Sequence, residues 1–445
     1  MQVKTKDGYI LESVIINSSR MLEPFNIVGL VTDIEIFEHL DLPYITGQVA
    51  MMDTFRLYDR LDFQGAEYCT IIIKQTEKSP PIEKRFVIDR LLTNKKANDQ
   101  TDLLMFHIVE DVLFKSNMLN VNKAYTGKPQ KIIESIAKQW LSKDIENICS
   151  DIFQDKIRLI VPNLTPLDAM SWVKSRTTTS KGFPTYLFSS FTTEKLIYAD
   201  LKTLIDGKPI NTKAPFIYGV TNTDLEVDAE FRHVAIKEYN LESTDDLYNI
   251  IADGLVGARH TFYSTHTAKG ASHKFDVAKD VMENVLEGND GTKAVAFAND
   301  FVFDDVPLQE YTSKNIYQIS QSGAYDDATG RFRSYDEDIT KSDHAKKIMA
   351  KALKSFLLKA PISIRIDGAG FIEGNNHYTT GNIVRILFLA NRPNDDGAAK
   401  LDLKKSGDYL VYGAKHSFGG ARYNIHLKCV KLTTFTDDSP MRVIG

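Results

Sequence analysis

The sequence predicts a mixed, mainly β fold made of two antiparallel β-barrel domains and two smaller α+β domains. Three observations predict it. β-branched and aromatic residues dominate two stretches, Phe25 to about Asp111 and Pro361 to about Phe435. Helical periodicity is concentrated in the segments between them. The two β stretches also share an order of elements, which points to an internal duplication.

The first barrel domain is assigned to residues 1–115, where GLVTDIEIFEHL, AEYCTIIIK, KRFVIDRLL and LLMFHIVED read as strands between turn-forming or charged loops. An α+β domain follows at 116–213. Pro129 opens a helix that places Ile132, Ile133, Ile136, Trp140 and Leu141 on one face. A second helix starts at Thr165, which caps it, with Pro166 at the first helical position and Asp168 completing a Thr-x-x-Asp box. TYLFSS and KLIYADL then read as two strands.

The second barrel domain is assigned to 214–243 and 360–434, interrupted by an inserted α/β domain at 244–359. Within the insert, Ser243 and Asp246 introduce a helix with Leu247, Ile250, Ile251 and Leu255 on one side. The strand-like ARHTFYSTH, a helix at 274–287, the acidic loop YDDATGRFRSYDED and a helix from Ser342 to Lys359 follow. Residues 435–445 read as a loose tail. The duplication rests on GAEYCTIIIK matching GNIVRILFLA, and on KRFVIDRLLTNKKANDQTDLLMFHIVED matching the strand-turn-strand ribbon at 407–432.

That ribbon, GDYLVYGAKHSFGGARYNIHLKCVKL, gathers two histidines and a cysteine and invites a catalytic reading. A tight turn at Gly419-Gly420 sets Phe418 opposite Ala421, His416 opposite Tyr423 and Leu410 opposite Cys429 on an apolar face. Lys415, Arg422, His426 and Lys428 fall on the other face. His426 and Cys429 therefore point to opposite sides, and a Cys/His dyad needs them within hydrogen-bond reach.

Composition narrows the function further. The chain has 445 residues, which favours several domains, and a net charge of -5, which gives no electrostatic case for gripping nucleic acid. Three scattered cysteines suit a reducing compartment. Neither MQVKTKDGYILES nor NIVRILFLA reads as an export signal or a membrane span. No HExxH, CxxC, GxSxG or GxxxxGK[ST] occurs, and DGAGFIEGNN precedes a strand, so it reads as a turn. His260 and His266 on one strand stand about 20 Å apart, too far for one ion. The acids at Asp326, Asp327, Asp336, Glu337 and Asp338 lack a calcium-loop spacing. No catalytic, cofactor-binding or metal residue is assigned.

The order of these elements, with the TPLDAMSWVKSR helix leading to TYLFSS and KLIYADL and a closing GDYLVYGAKHSFGGARYNIHLKCVKL, resembles the central baseplate hub proteins of contractile-tailed bacteriophages. The hub part of type VI secretion spike proteins has a similar plan. The resemblance implies a structural protein, not an enzyme. It implies tube-like barrels, two per chain, in a homotrimer whose ring imitates sixfold symmetry between a tail tube and a threefold spike. Implied partners are the central spike protein, the tube or tube-initiator protein, the tape-measure protein and the baseplate wedge proteins. DNA would pass through the lumen without specific binding, with no direct membrane insertion. The protein would sit in the virion, assembled in the host cytoplasm.

On that reading the Lys415, Arg422, His426, Lys428 face lines the lumen or a subunit contact. Only TFTDDSPMRVIG follows the second barrel, so a separate spike is expected, with Met441, Val443 and Ile444 as candidate contacts. The alternatives are a hydrolase acting at the cell envelope through carboxylates of the insert, or another tail-tube or wedge component.

Overall fold

The structure, a computed structural model, describes residues 8–435 except 21–22, 62, 99, 151–156, 176, 220–233, 242–246, 253–255, 265–268, 277–292, 296–301, 308–309, 312–313, 321–323, 327–331, 335–345, 347–349, 351–352, 355–360, 369–370, 372–378, 391–399 and 421. It is mainly antiparallel β. In the first half, segments rich in β-branched and apolar residues make β1 (Ile10–Asn17), β2 (Val31–His39), β3 (Thr46–Asp53) and β4 (Glu67–Lys74), with burial alternating along β2 and β4. A long hairpin of β5 (Ile82–Asn98) and β6 (Thr101–Glu110) follows. Ile34, Ile36, Ile71, Ile73, Phe86 and Phe106 meet in one core.

Between the halves, α1 (Pro129–Ile136) and α2 (Pro166–Lys174) pack with β7 (Thr185–Phe188) and β8 (Leu196–Asp200) around a second core. The α2 entrance forms as the sequence indicates: Thr165 Oγ1 accepts the Asp168 N–H at 3.3 Å, with Pro166 at the first position. The α1 stripe is also as expected, with Ile132, Ile133 and Ile136 buried, and Trp140 donating to the Tyr125 hydroxyl at 3.2 Å.

The second half contains β9 (Phe216–Tyr218), β10 (Glu238–Leu241), β11 (Val256–Ser264), β12 (Lys269–Asp276), β13 (Asn315–Ser320), β14 (Pro361–Asp367), β15 (Ile383–Phe388), β16 (Gly407–Gly419) and β17 (Arg422–Phe435). Ile362, Ile364, Ile386, Val411, Leu427 and Cys429 help to fill its core. The helix expected at 274–287 is corrected at its start, because Lys274–Asp276 pairs into β12. Its remainder lies outside the described residues. Of the helix expected at 342–359, Lys346, Ala350, Leu353 and Lys354 are described, and all four are helical.

The expectation of two tube-like antiparallel barrels is met in its antiparallel β character and corrected in one respect, closure. Among the described residues no pairing closes either half, and the two run into one fourteen-stranded sheet whose main path includes β10-β14-β17-β16-β2-β3-β6-β5-β4-β1. The cause is the divided edge of β16. Gly407–Leu410 pairs with β15, while Gly413–Gly419 pairs with β2 of the first half. An edge taken by the other half is not free to close on its own.

The duplication, by contrast, is visible in the pairing. The antiparallel order β4-β5-β6-β3-β2 repeats as β15-β16-β17-β14-β10. The copies differ beyond β4 and β15, where β1 is antiparallel and β9 parallel.

In the β16–β17 hairpin the turn falls one residue later than expected, because Gly419 pairs with Arg422 and Phe418 with Tyr423. The positive φ sits at Gly420. Each residue thus meets the next partner on the same face, so the assignment of faces near the turn survives. Further down it does not: a bulge at Tyr412 brings Val411, rather than Leu410, opposite Cys429.

Candidate functional site

Eight consecutive strands, β10-β14-β17-β16-β2-β3-β6-β5, present one continuous face away from the cores. Its centre is the join between the halves, where Lys415 lies opposite Phe37 and Ser417 opposite Glu35. Lys415 Nζ reaches Glu35 Oε1 at 2.6 Å. Toward β10, Arg365 stands 3.9 Å from Glu238, and Lys237 donates to Asn424 Oδ1 at 2.7 Å. Toward β5, His107 Nδ1 meets Asp89 Oδ1 at 2.6 Å. The face is polar and carries charges of both signs.

All four residues singled out on the ribbon lie on this face. Arg422 and Lys428 are exposed, and Lys415 and His426 half-buried. Burial, with the Lys415 and Arg365 charges, pushes the His426 pKa down despite Glu238 and Glu35. His39, across the join, is also pushed down, by burial and by the Lys354 and Lys428 charges, against Asp41. Cys429 is buried on the opposite face from His426. Met441, Val443 and Ile444 lie outside the described residues, as do His266, Asp327 and the 336–338 acids. His260 and His273 are direct cross-strand partners, a neighbour relation that the spacing along one strand does not reveal. Among the described residues no group of three or more His, Cys, Asp or Glu could hold a metal ion.

Beneath the join lies a buried polar junction that the sequence reading missed. Glu38 sits at an inward position of β2 with its side chain fully buried. Its Oε1 accepts the Phe191 N–H at 2.6 Å, the Ser190 hydroxyl at 3.1 Å and His416 Nε2 at 3.2 Å, and its Oε2 accepts the Thr380 hydroxyl at 3.4 Å. His416 Nδ1 in turn lies 2.6 Å from the Tyr423 hydroxyl. Burial alone would raise the Glu38 pKa. The His416 charge and hydrogen bond, with the Phe191 and Ser190 donors, outweigh it and hold the carboxyl below its ordinary value.

Two further carboxylates of the first half work the same way. Glu110 Oε2 accepts Ser189 Oγ–H at 2.9 Å and the Ile45 N–H at 3.2 Å, while its Oε1 takes Lys143 Nζ at 3.2 Å. Asp41 binds both Lys174 and Lys354. Glu38 and Glu110 are buried and Asp41 half-buried, and each is satisfied only when segments distant in sequence come together, so the junction sets how the parts sit against one another. The available signal was periodicity: in VTDIEIFEHL, Glu38 continues the inward series Ile34, Ile36.

The overall fold is similar to that of solved structures. A tail protein from Neisseria meningitidis matches with a TM-score of 0.50 at 11% identity, covering 95% of this chain and 97% of its own. The 43 kDa tail protein of prophage MuSo2 from Shewanella oneidensis matches with a TM-score of 0.53 at 10% identity, covering 94% of this chain and 98% of its own. The fold is that of phage tail proteins. A type VI secretion component of E. coli aligns more loosely with this tail-protein fold, at a TM-score of 0.43 and 8% identity over 94% of this chain and 76% of its own. No family profile matches the sequence. No curated protein matches it either.

Proposed function

We propose that the chain is a structural baseplate hub of a contractile phage tail. Three copies form a pseudo-sixfold ring that joins a sixfold tube to a threefold spike and leaves a channel for DNA. The observation that carries this reading is the internal join. By the duplication, β5 corresponds to β16 and β10 to β2, and within the chain the tip half of β16 pairs with β2. The matching tip half of β5, from Arg90 to Asn98, has no strand on its outer side among the described residues, and neither has β10. Repeating the internal join between copies sets β5 of one against β10 of the next.

The strand directions support that closure. Eight alternating antiparallel strands are an even number, so β5 and β10 run oppositely and meet antiparallel across copies. Three such sheets make a ring of 24 strands (three times eight). At ~4.8 Å per strand its circumference is ~115 Å and its diameter ~37 Å before strand tilt widens it. That span admits a DNA duplex, with the Lys415, Arg422, His426, Lys428 face toward the lumen. The charges of both signs there fit passage rather than specific grip. The role is non-enzymatic, in the virion, with spike, tube, tape-measure and wedge proteins as partners.

Light scattering with electron-microscopic class averages tests the reading. Three chains in a ring of six lobes are expected. A monomer that also ignores a co-expressed spike protein overturns it.

A further inference from the structure

The three-stranded sheet of β12, β11 and β13 is separate from the fourteen-stranded sheet, and its exposed face is ordered in rows. β11 pairs antiparallel with β12 and parallel with β13. The registers set Lys274, Arg259 and Asn315 side by side, then Ser272, Thr261 and Tyr317, then Gly270, Tyr263 and Ile319. None of these nine positions carries a carboxylate, and the next position of β12 on this face is Asp276. His260, pointing the other way from β11, is buried.

Three features point to a ligand. Tyr317 and Tyr263 are 76% and 48% exposed, so their rings face solvent instead of filling a core. They lie on a diagonal of ~8 Å, from a strand spacing of ~4.8 Å and a two-residue rise of ~6.7 Å. Gly270 beside Tyr263 adds no side chain to obstruct a ring laid on it. The exposed Arg259 and Lys274 are direct cross-strand partners, an unfavourable pairing of like charges that an anion between them would relieve.

We propose that this face binds an acidic glycan: sugar rings stack on Tyr263 and Tyr317, and an anionic substituent sits between Arg259 and Lys274. Ser272, Thr261 and Asn315 supply the donors and acceptors that sugar hydroxyls need. A single-stranded nucleic acid also stacks on aromatics, but it carries a charge at every residue and calls for a basic track. Two cations on a chain of net charge -5 do not make one.

The test uses the full chain in affinity electrophoresis through gels containing polygalacturonate, hyaluronate, a phosphomannan or neutral dextran, with an oligothymidylate titrated separately. Retardation by at least one acidic glycan and not by dextran is expected. Tyr317→Ala weakens it about tenfold, and Arg259→Ser with Lys274→Ser removes it, while circular dichroism confirms that these exposed changes leave the fold intact. No retardation by any of the three acidic glycans overturns the proposal. So does unchanged retardation of Tyr317→Ala, or tighter binding of the oligothymidylate, which would mark a nucleic-acid face.

Discussion

Replacing Glu38 by Gln tests whether the buried junction holds the parts of the chain together. The exchange keeps the side chain's shape and removes its charge. Glu38 receives donors from Phe191, Ser190, His416 and Thr380, three of them within 3.2 Å. Hydrogen bonds to a charged acceptor are worth about 1.5–3 kcal/mol and neutral ones about 0.5–1.5. Losing roughly 1 kcal/mol at each of the three short contacts gives about 3 kcal/mol, near the lower end of the cost of breaking a buried pair. Denaturant unfolding followed by circular dichroism measures the loss, and hydrogen exchange at the Phe191 amide locates it. The His416→Gln variant and the double variant complete a cycle, with an expected coupling of at least about 1 kcal/mol. The sign with pH is also set. Because the folded-state pKa of Glu38 lies below its ordinary 4.5, its contribution is present at neutral pH and is lost as pH falls through the folded value. The wild type therefore loses its advantage over Glu38→Gln in acid. A loss below about 1 kcal/mol at neutral pH with no coupling to His416 would refute the reasoning.

Three other outcomes follow from local geometry. At Gly47 an added Cβ would stand 2.6 Å from the Glu35 carbonyl and 3.1 Å from Ile108 Cγ1, so Gly47→Ala should cost about 1–3 kcal/mol, read as a lowered denaturant midpoint. Burial pushes the Cys69 thiol up to about 12 and the Cys429 thiol higher still, while Cys149 is half-buried. Iodoacetamide at mildly alkaline pH should alkylate native protein at Cys149 alone, as peptide mass mapping would show. Burial lowers the Lys431 amine to about 8 in spite of Asp402. Between about 8 and the ordinary 10.5 the unfolded chain holds a proton that the folded one does not, so stability rises with pH there, and Lys431→Met should flatten that rise in melts taken across the range.

What the sequence disclosed was local or periodic. The Thr165 cap, the α1 stripe and the two faces of the β16–β17 ribbon each depend on residues a few positions apart. The faces survived a misplaced turn because a strand's side-chain period is two, and the partners moved by a whole period. Tyr412 broke that protection, since a bulge adds one residue and no residue type announces it. Glu38 and His416 were half legible. Each occupies an inward position of an alternating strand, which marks a buried polar group needing partners. Their meeting across 378 positions of chain could not be read from either strand.

The same limit explains the barrels. Glycine-led strands and a long ribbon, each present twice, identify a repeated unit, and the pairing order β4-β5-β6-β3-β2 against β15-β16-β17-β14-β10 bears that out. Yet a repeated unit can close on itself or join its copy, and alternation along a strand is blind to which neighbour its edge will take. The tip half of β16 took β2 of the other copy. If the tip half of β5 behaves as its counterpart does, the matching edge is left for another chain. That strand is bulged beyond Ile88, Leu91 and Lys96 and carries Lys95 and Lys96, features that discourage indiscriminate strand addition. Replacing Lys95 and Lys96 with Val should therefore convert a selective edge into a sticky one. The expected signature is concentration-dependent aggregation by light scattering with unchanged circular dichroism. A variant that stays as soluble as the wild type would mean that this edge is already covered within the chain, and the ring would have to close elsewhere.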